Sequence, residues 1–272
     1  MKTDDTAAPF FGSPFDWSIR PGTSPACLGP LAAFVAVAAV AAVALCPLPA
    51  AAAAEPPFGR TSVIFIVADD IGFGDLGCQG NPDIDTPAID RLARQGVRLT
   101  ACYSPSSLCS AARAALFTGR SGHRTGAVDV SSNRGVDRID LAERTIGDHF
   151  RAAGHATAYV GKWHNGVYCD DHLPHRRGFD HFIGFANGAH DFERWQIERR
   201  TAAANDRPES CRVEPHDGRH LSDVLADEAA GFVRGAAAAG RPFALVFAPA
   251  AIHPPLQAPQ PLVEKYAARL EG

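Results

Sequence analysis

The chain has no surplus of positive charge. Its 272 residues carry 26 Lys and Arg against 30 Asp and Glu, a formal net charge of −4. No global basic field exists to hold a polyanion, so nucleic-acid binding is not expected. The seven cysteines include no C-x-x-C pair, which removes zinc-ribbon spacing. No internal repeat is visible, and no low-complexity tract lies outside one N-terminal apolar block. What remains is a globular composition, 46% hydrophobic, in a chain long enough for one large domain or two small ones.

The N-terminal block "GPLAAFVAVAAVAAVALCPLPAAAAAE" is uncharged from Leu31 to Cys46, then meets proline and small residues ending in Ala-Ala-Ala before Glu55. An apolar core followed by an A-x-A site predicts a secretory signal over residues 1–54, with its preceding tail, cleaved after Ala54. An uncleaved anchor helix is the alternative, because the run approaches membrane-spanning length. A lipoprotein site at Cys46 is disfavoured by the bulk of Leu45. Either reading exports the body of the protein, residues 55–272, to the periplasm or outside the cell, and only the anchor places it on a membrane. Loss of Cys27 and Cys46 leaves five cysteines, an odd number, so one thiol stands outside any set of disulfides. Pairings among Cys78, Cys102, Cys169 and Cys211 stay open.

Downstream, "SVIFIVADD" is a continuous apolar run closed by charge, the pattern of a strand buried on both faces. "TPAIDRLARQG" predicts a helix capped by Thr86, with Pro87 in the first turn, an apolar stripe of Ile89, Leu92 and Ala93, and Gly96 at its end. "VRLTACYS" predicts a second strand, and a helix follows Cys109. "TIGDHFRAAG" reads as a helix feeding the strand "HATAYVGKW". Residues 200–219 read as a polar loop or insertion, "LSDVLADEAAGFVRGAAAAG" as a long helix, and "PFALVFAPA" as a further buried strand. Strands alternating with helices predict an α/β fold with a largely parallel sheet and helices on both faces. Ligands in such sheets sit at the carboxyl ends of strands, where Asp69, Asp70, "GKWH" and "AIHPP" all fall.

Taken singly, each of these groups has an ordinary explanation. Asp69 and Asp70 repel each other unless neutralised, which suits a hard cation and equally a solvated turn. Cys109 is open to three readings: a buried small residue, a disulfide partner or a nucleophile. Its place at a helix start favours an anion, and Arg113 stands one turn further in, where a guanidinium can share an anion's oxygens. Cysteine-dependent phosphatases need five residues between cysteine and arginine, and here there are three.

The ordered segments "SVIFIVADDIGFGDLGCQG", "TPAIDRLARQGVRLT", "YSPSSLCSAARAALFTGR", "YVGKWHNG", "PHRRGFDHFIGF" and "PFALVFAPAAIHPP" together resemble the N-terminal half of a type I sulfatase, of the alkaline-phosphatase-like superfamily. The resemblance spans roughly residues 60 to 258. It implies hydrolysis of sulfate esters of carbohydrates or aryl alcohols through a formylglycine, made from Cys109 by a maturation enzyme, beside a divalent cation. Within it, Asp69, Asp70 and the modified residue 109 are implied calcium ligands. Arg113 supports the formylglycine, Lys162 contacts sulfate, His164 meets the formylglycine hydroxyl, and His253 holds sulfate or protonates the leaving oxygen.

Two features depart from the family pattern. The modification motif is "CSAAR", with Ala111 where proline is usual, a variant found in bacterial members, and Ala112 where serine is common. The family's later Asp-Asn metal pair and second sulfate-binding lysine do not occur before Gly272. The expectation is therefore an N-terminal portion that lacks the C-terminal strands and subdomain, binds metal weakly and turns over little substrate. The alternatives are a phosphonate or phosphodiester hydrolase of the same superfamily, or a truncated chain without chemistry.

Overall fold

The computed structural model describes residues 61–202, 212–215 and 217–270. The signal or anchor expected over residues 1–54, and Cys211, lie outside the described residues.

Six strands form one sheet in the order β1-β6-β2-β3-β4-β5. They are β1 (Val63–Ile66), β2 (Ala156–Lys162), β3 (His181–Phe185), β4 (Gln196–Thr201), β5 (Arg212–Pro215) and β6 (Phe243–Ala248). The first four in that order are parallel, and β4 and β5 add antiparallel partners beyond β3. The expected α/β architecture is present.

Alternation along the central strands explains the two-faced core. On β2, Ala156, Ala158 and Val160 pack with Leu221, Val224, Leu225 and Ala229 of the long helix α5 (Leu221–Ala238). Tyr159, on the opposite face, packs with Ala114 and Phe117 of α2 (Cys109–Thr118). The period-2 geometry of a strand thus assigns one face to each helix. After the short helix α3 (Gly122–Thr125), α4 (Ile146–Ala152) starts with a reciprocal capping box between Thr145 and Asp148, which satisfies two donors at its first turn.

Three aromatic rings fix α2 to the end of β2. Phe117 stacks on Trp163 with centroids 5.3 Å apart, and Tyr159 stands edge-on to both at 5.6 and 5.1 Å. Each such pair contributes about 0.5–1.5 kcal/mol beyond its burial. The consequence is positional: Cys109 and Arg113 on α2 are locked against Lys162 and His164 at the end of β2. Close strand packing adds to this. Gly161 has φ +114°, and a Cβ there would come within 2.1 Å of the Ala248 carbonyl oxygen, so only glycine fits before Lys162.

Several expectations are corrected. Residues 97–104 form no strand; Val97, Leu99 and Tyr103 are exposed, and no strand among the described residues pairs with them. The stretch 200–219 is not wholly loop, since β4 ends at Thr201 and β5 covers Arg212–Pro215. Thr86 does not cap α1 (Pro87–Gln95) with its side chain. Its hydroxyl accepts from the Gly77 amide and donates to Asp90 instead. The stripe of α1 is not core, because Ile89 and Leu92 are exposed. A C-terminal helix, α6 (Gln260–Leu270), was not anticipated. Cys78, Cys102, Cys109 and Cys169 are free thiols, so none of the disulfides considered forms among the described residues.

Candidate active site

Each residue singled out in the sequence stands at the carboxyl end of the parallel strands or at the start of α2. Asp69 and Asp70 follow β1, Lys162 ends β2, His164 comes two residues later, and His253 lies in the loop after β6. The loops after β1 and β6 are joined by reciprocal backbone bonds: Asp69 N–H donates to the Ala251 carbonyl at 3.3 Å and Ile252 N–H to the Asp69 carbonyl at 2.9 Å.

The deepest feature is a three-residue ion cluster. The Asp69 carboxylate takes Lys162 Nζ at 2.6 Å on one oxygen and Arg113 Nη2 at 3.0 Å on the other. All three side chains are buried. Burial raises the Asp69 pKa, but the Arg113 guanidinium and the Lys162 ammonium outweigh it and hold the carboxyl below its ordinary value. Arg113 also donates to the Lys162 carbonyl at 2.8 Å, and that carbonyl accepts from the Tyr159 hydroxyl at 2.5 Å. Desolvation raises Tyr159 to about 12, so it remains a neutral donor. The cluster has two cations and one anion, a buried surplus of positive charge.

Beside it, Cys109 Sγ lies 3.1 Å from His164 Nδ1. The ring's other nitrogen, Nε2, is 3.3 Å from the Val130 carbonyl oxygen. A carbonyl only accepts, so Nε2 carries the hydrogen and Nδ1 presents a lone pair to residue 109. Burial first, and then the charge of Lys162, depress the His164 pKa, which keeps the imidazole neutral. His164 has φ +56° and Asp70 φ +62°. Two non-glycine residues in the left-handed region, both where a strand meets the site, are the kind of sparsely populated backbone that clusters at functional sites.

Asn165 fastens the floor of the site. Its amide donates to the Ser110 carbonyl at 2.9 Å and to the Asp137 carbonyl at 3.3 Å, tying the strand end to the first turn of α2. Asp70 is further out, with His253 Nε2 4.0 Å from its carboxylate. A cavity of about 480 Å³ opens over Asp69, Asp70, Cys109 and Arg113, walled by the 102–108 loop.

The structure therefore brings together Asp69 with Arg113 and Lys162, Cys109 with His164, and Asp70 with His253. Reading the sequence did not find Tyr159, Asn165 or Val130. Tyr159 looks like a core residue of a buried strand, and Val130 acts through its main chain, which leaves no side-chain signal.

A divalent cation is only partly provided for. Both Asp69 oxygens already hold cations, and no group of three or more His, Cys, Asp or Glu among the described residues is arranged to hold a metal. Two carboxylates, one of them neutralised, fall short of the six to eight oxygens that calcium takes. The donor set does not fit the ion, and no chemical step is assigned to it.

The sulfatase family model matches residues 61–271. Rat arylsulfatase G (Rattus norvegicus) is 32% identical over 235 residues, covering 78% of this chain and 44% of that protein. Among solved structures, Ps i-CgsB superposes with a TM-score of 0.66 at 30% identity, covering 77% of this chain and 49% of the other. BT4656, solved in complex with its substrate D-glucosamine-2-N,6-O-disulfate, superposes with a TM-score of 0.57 at 26% identity, covering 72% of this chain and 35% of the other. The chain spans less than half the length of these relatives. Among the described residues, no helix is long and apolar enough to cross a membrane.

Proposed function

Because the chain belongs to the sulfatase family, we propose that it hydrolyses sulfate esters at residue 109, with Cys109 converted to formylglycine by a maturation enzyme after translation. The observation that supports this most is the 3.1 Å approach of Cys109 Sγ to a neutral His164 Nδ1, next to a buried cluster with one cation in excess. That surplus suits an incoming sulfate group.

Formylglycine hydrate supplies a geminal diol, one hydroxyl of which attacks sulfur while the other later expels sulfate and regenerates the aldehyde. With an oxygen in place of Sγ, His164 Nδ1 accepts the proton of the attacking hydroxyl. Lys162 and Arg113 face the developing negative charge, each restrained by Asp69 and by bonds around the Lys162 carbonyl. His253, on the rim beside Asp70, donates a proton to the departing alcohol.

The substrate class follows from two relatives. Arylsulfatase G is named for aryl sulfates and BT4656 was solved with a sulfated sugar, so an aryl or glycan sulfate is the proposed substrate. Asp69 and Asp70 were expected to bind calcium together with residue 109. Calcium binding at those residues would need Lys162 or Arg113 to release Asp69 and further donors to join.

The test is hydrolysis of an aryl sulfate and of the matching aryl phosphate by the full chain co-expressed with a formylglycine-generating enzyme. Turnover of the sulfate above the phosphate, abolished by Cys109→Ala, is expected. Preference for the phosphate would support the phosphoryl-hydrolase reading, and turnover unaffected by Cys109→Ala would overturn the assignment to residue 109.

A further inference from the structure

The mechanism depends on which way the His164 ring faces, and the ring's seat is made by a glycine that no chemical motif marks. Gly188 lies in the segment after β3, two residues beyond Ala186, whose carbonyl accepts the His164 N–H at 3.0 Å. A Cβ placed on Gly188 would stand 2.5 Å from Cε1, 2.7 Å from Nε2 and 3.0 Å from Nδ1 of His164. Those are contacts with the ring itself, at separations real side chains do not tolerate. The Gly188 backbone lies outside the left-handed region, so alanine there meets no penalty of its own. The ring's proximity, not the turn, requires glycine.

Three contacts then define the imidazole. The space left by the missing Gly188 side chain holds the Cε1 end of the ring, the Val130 carbonyl accepts from Nε2, and residue 109 meets Nδ1. His164 is itself held in a left-handed backbone conformation, uncommon for a non-glycine residue. We infer that Gly188 is a positioning residue: by having no side chain it leaves room for the His164 ring where it stands, with Nδ1 directed at residue 109.

The inference rests on His164 serving residue 109, and its test uses no substrate, so absent sulfatase activity does not bear on it. The full chain is expressed without the maturation enzyme, leaving Cys109 as a thiol. Its alkylation by iodoacetamide at one fixed pH is followed by peptide mass spectrometry, which separates Cys109 from the other cysteines. Gly188→Ala is expected to slow that alkylation by about fivefold or more, whereas in a His164→Ala background the same change alters it by less than about twofold. Gly235→Ala, in open space on α5, controls for the general effect of replacing glycine and is expected to leave the rate unchanged. Should Gly188→Ala prevent folding, His164→Ala is expected to restore a cooperative melt by removing the ring that Cβ strikes. A Gly188→Ala chain that alkylates like the parent overturns the inference. An equal change with and without His164, or unfolding that His164→Ala does not relieve, does so as well.

Discussion

Lys162 Nζ stands 2.6 Å from Asp69 Oδ2, in a site where both side chains are almost fully buried. With Arg113 on the other oxygen, Asp69 is the counter-ion of two buried cations. Removing one member of such a pair leaves an uncompensated charge, a loss of about 3–5 kcal/mol. Asp69→Asn is therefore expected to lower stability by about that amount, read as a shift in the denaturant midpoint. Lys162→Met, which removes a cation while Arg113 still holds the carboxylate, is expected to cost less. The opposite order would contradict the cluster as drawn.

Acid should weaken the fold well above the carboxylate range. Burial, the largest influence at each site, depresses the pKa of His164, His172, His175 and His190 below the ordinary 6.5. Below that value the unfolded chain takes up protons that the folded chain still refuses. Stability therefore falls as pH drops from about 6.5 towards each depressed folded value, and levels off below it. A melting temperature that declines between about pH 7.5 and about pH 5.5 is expected, and a flat profile would count against neutral buried histidines.

Calcium should bind this chain poorly. With Asp69 neutralised by Arg113 and Lys162, titration calorimetry is expected to show no saturable binding below about 100 μM. Tight one-to-one binding, lost on Asp69→Asn, would mean that the ion displaces Lys162 or recruits donors from outside the described residues.

The edge of the sheet offers another test. Among the described residues β1 pairs only with β6, and Ile64 and Ile66 are exposed by 48% and 61%. An open apolar edge templates pairing with other chains. Concentration-dependent association in light scattering is expected, reduced by Ile66→Lys; a monodisperse chain at all concentrations would show that the edge is protected.

Much of the fold was legible because parallel strands write themselves as unbroken apolar runs: "VIFI", "ATAYV" and "FALVF" all became strands of the sheet, although "VIFI" lies at its edge with Ile64 and Ile66 exposed and is not buried on both faces as expected. The antiparallel half was not. In β4, "QIERRT" has no unbroken apolar run to mark it and its end falls in the stretch 200–219 that reads as a polar loop, yet its charges are spent on ion pairs, Arg199 with Glu228 and Arg200 with Glu198 and Asp170. Conversely "VRLTACYS" has strand composition but no partner strand among the described residues, and composition alone cannot supply one. The seven candidate residues were found as separate motifs. Their pairing was hidden, because Asp69 and Lys162 lie 93 residues apart and meet only through the sheet. Gly188 and Val130 act through an absent side chain and a carbonyl, neither of which the one-letter code distinguishes.

The account turns on the fate of residue 109. The most direct measurement is mass spectrometry of the peptide spanning Ser107 to Arg113, from the full chain co-expressed with a formylglycine-generating enzyme, with hydrazide labelling to detect an aldehyde. An aldehyde at position 109 that labels is expected, with no labelling in Cys109→Ala. A peptide that keeps its thiol under those conditions would contradict it, and would leave Cys109 as a buried-site cysteine beside a histidine.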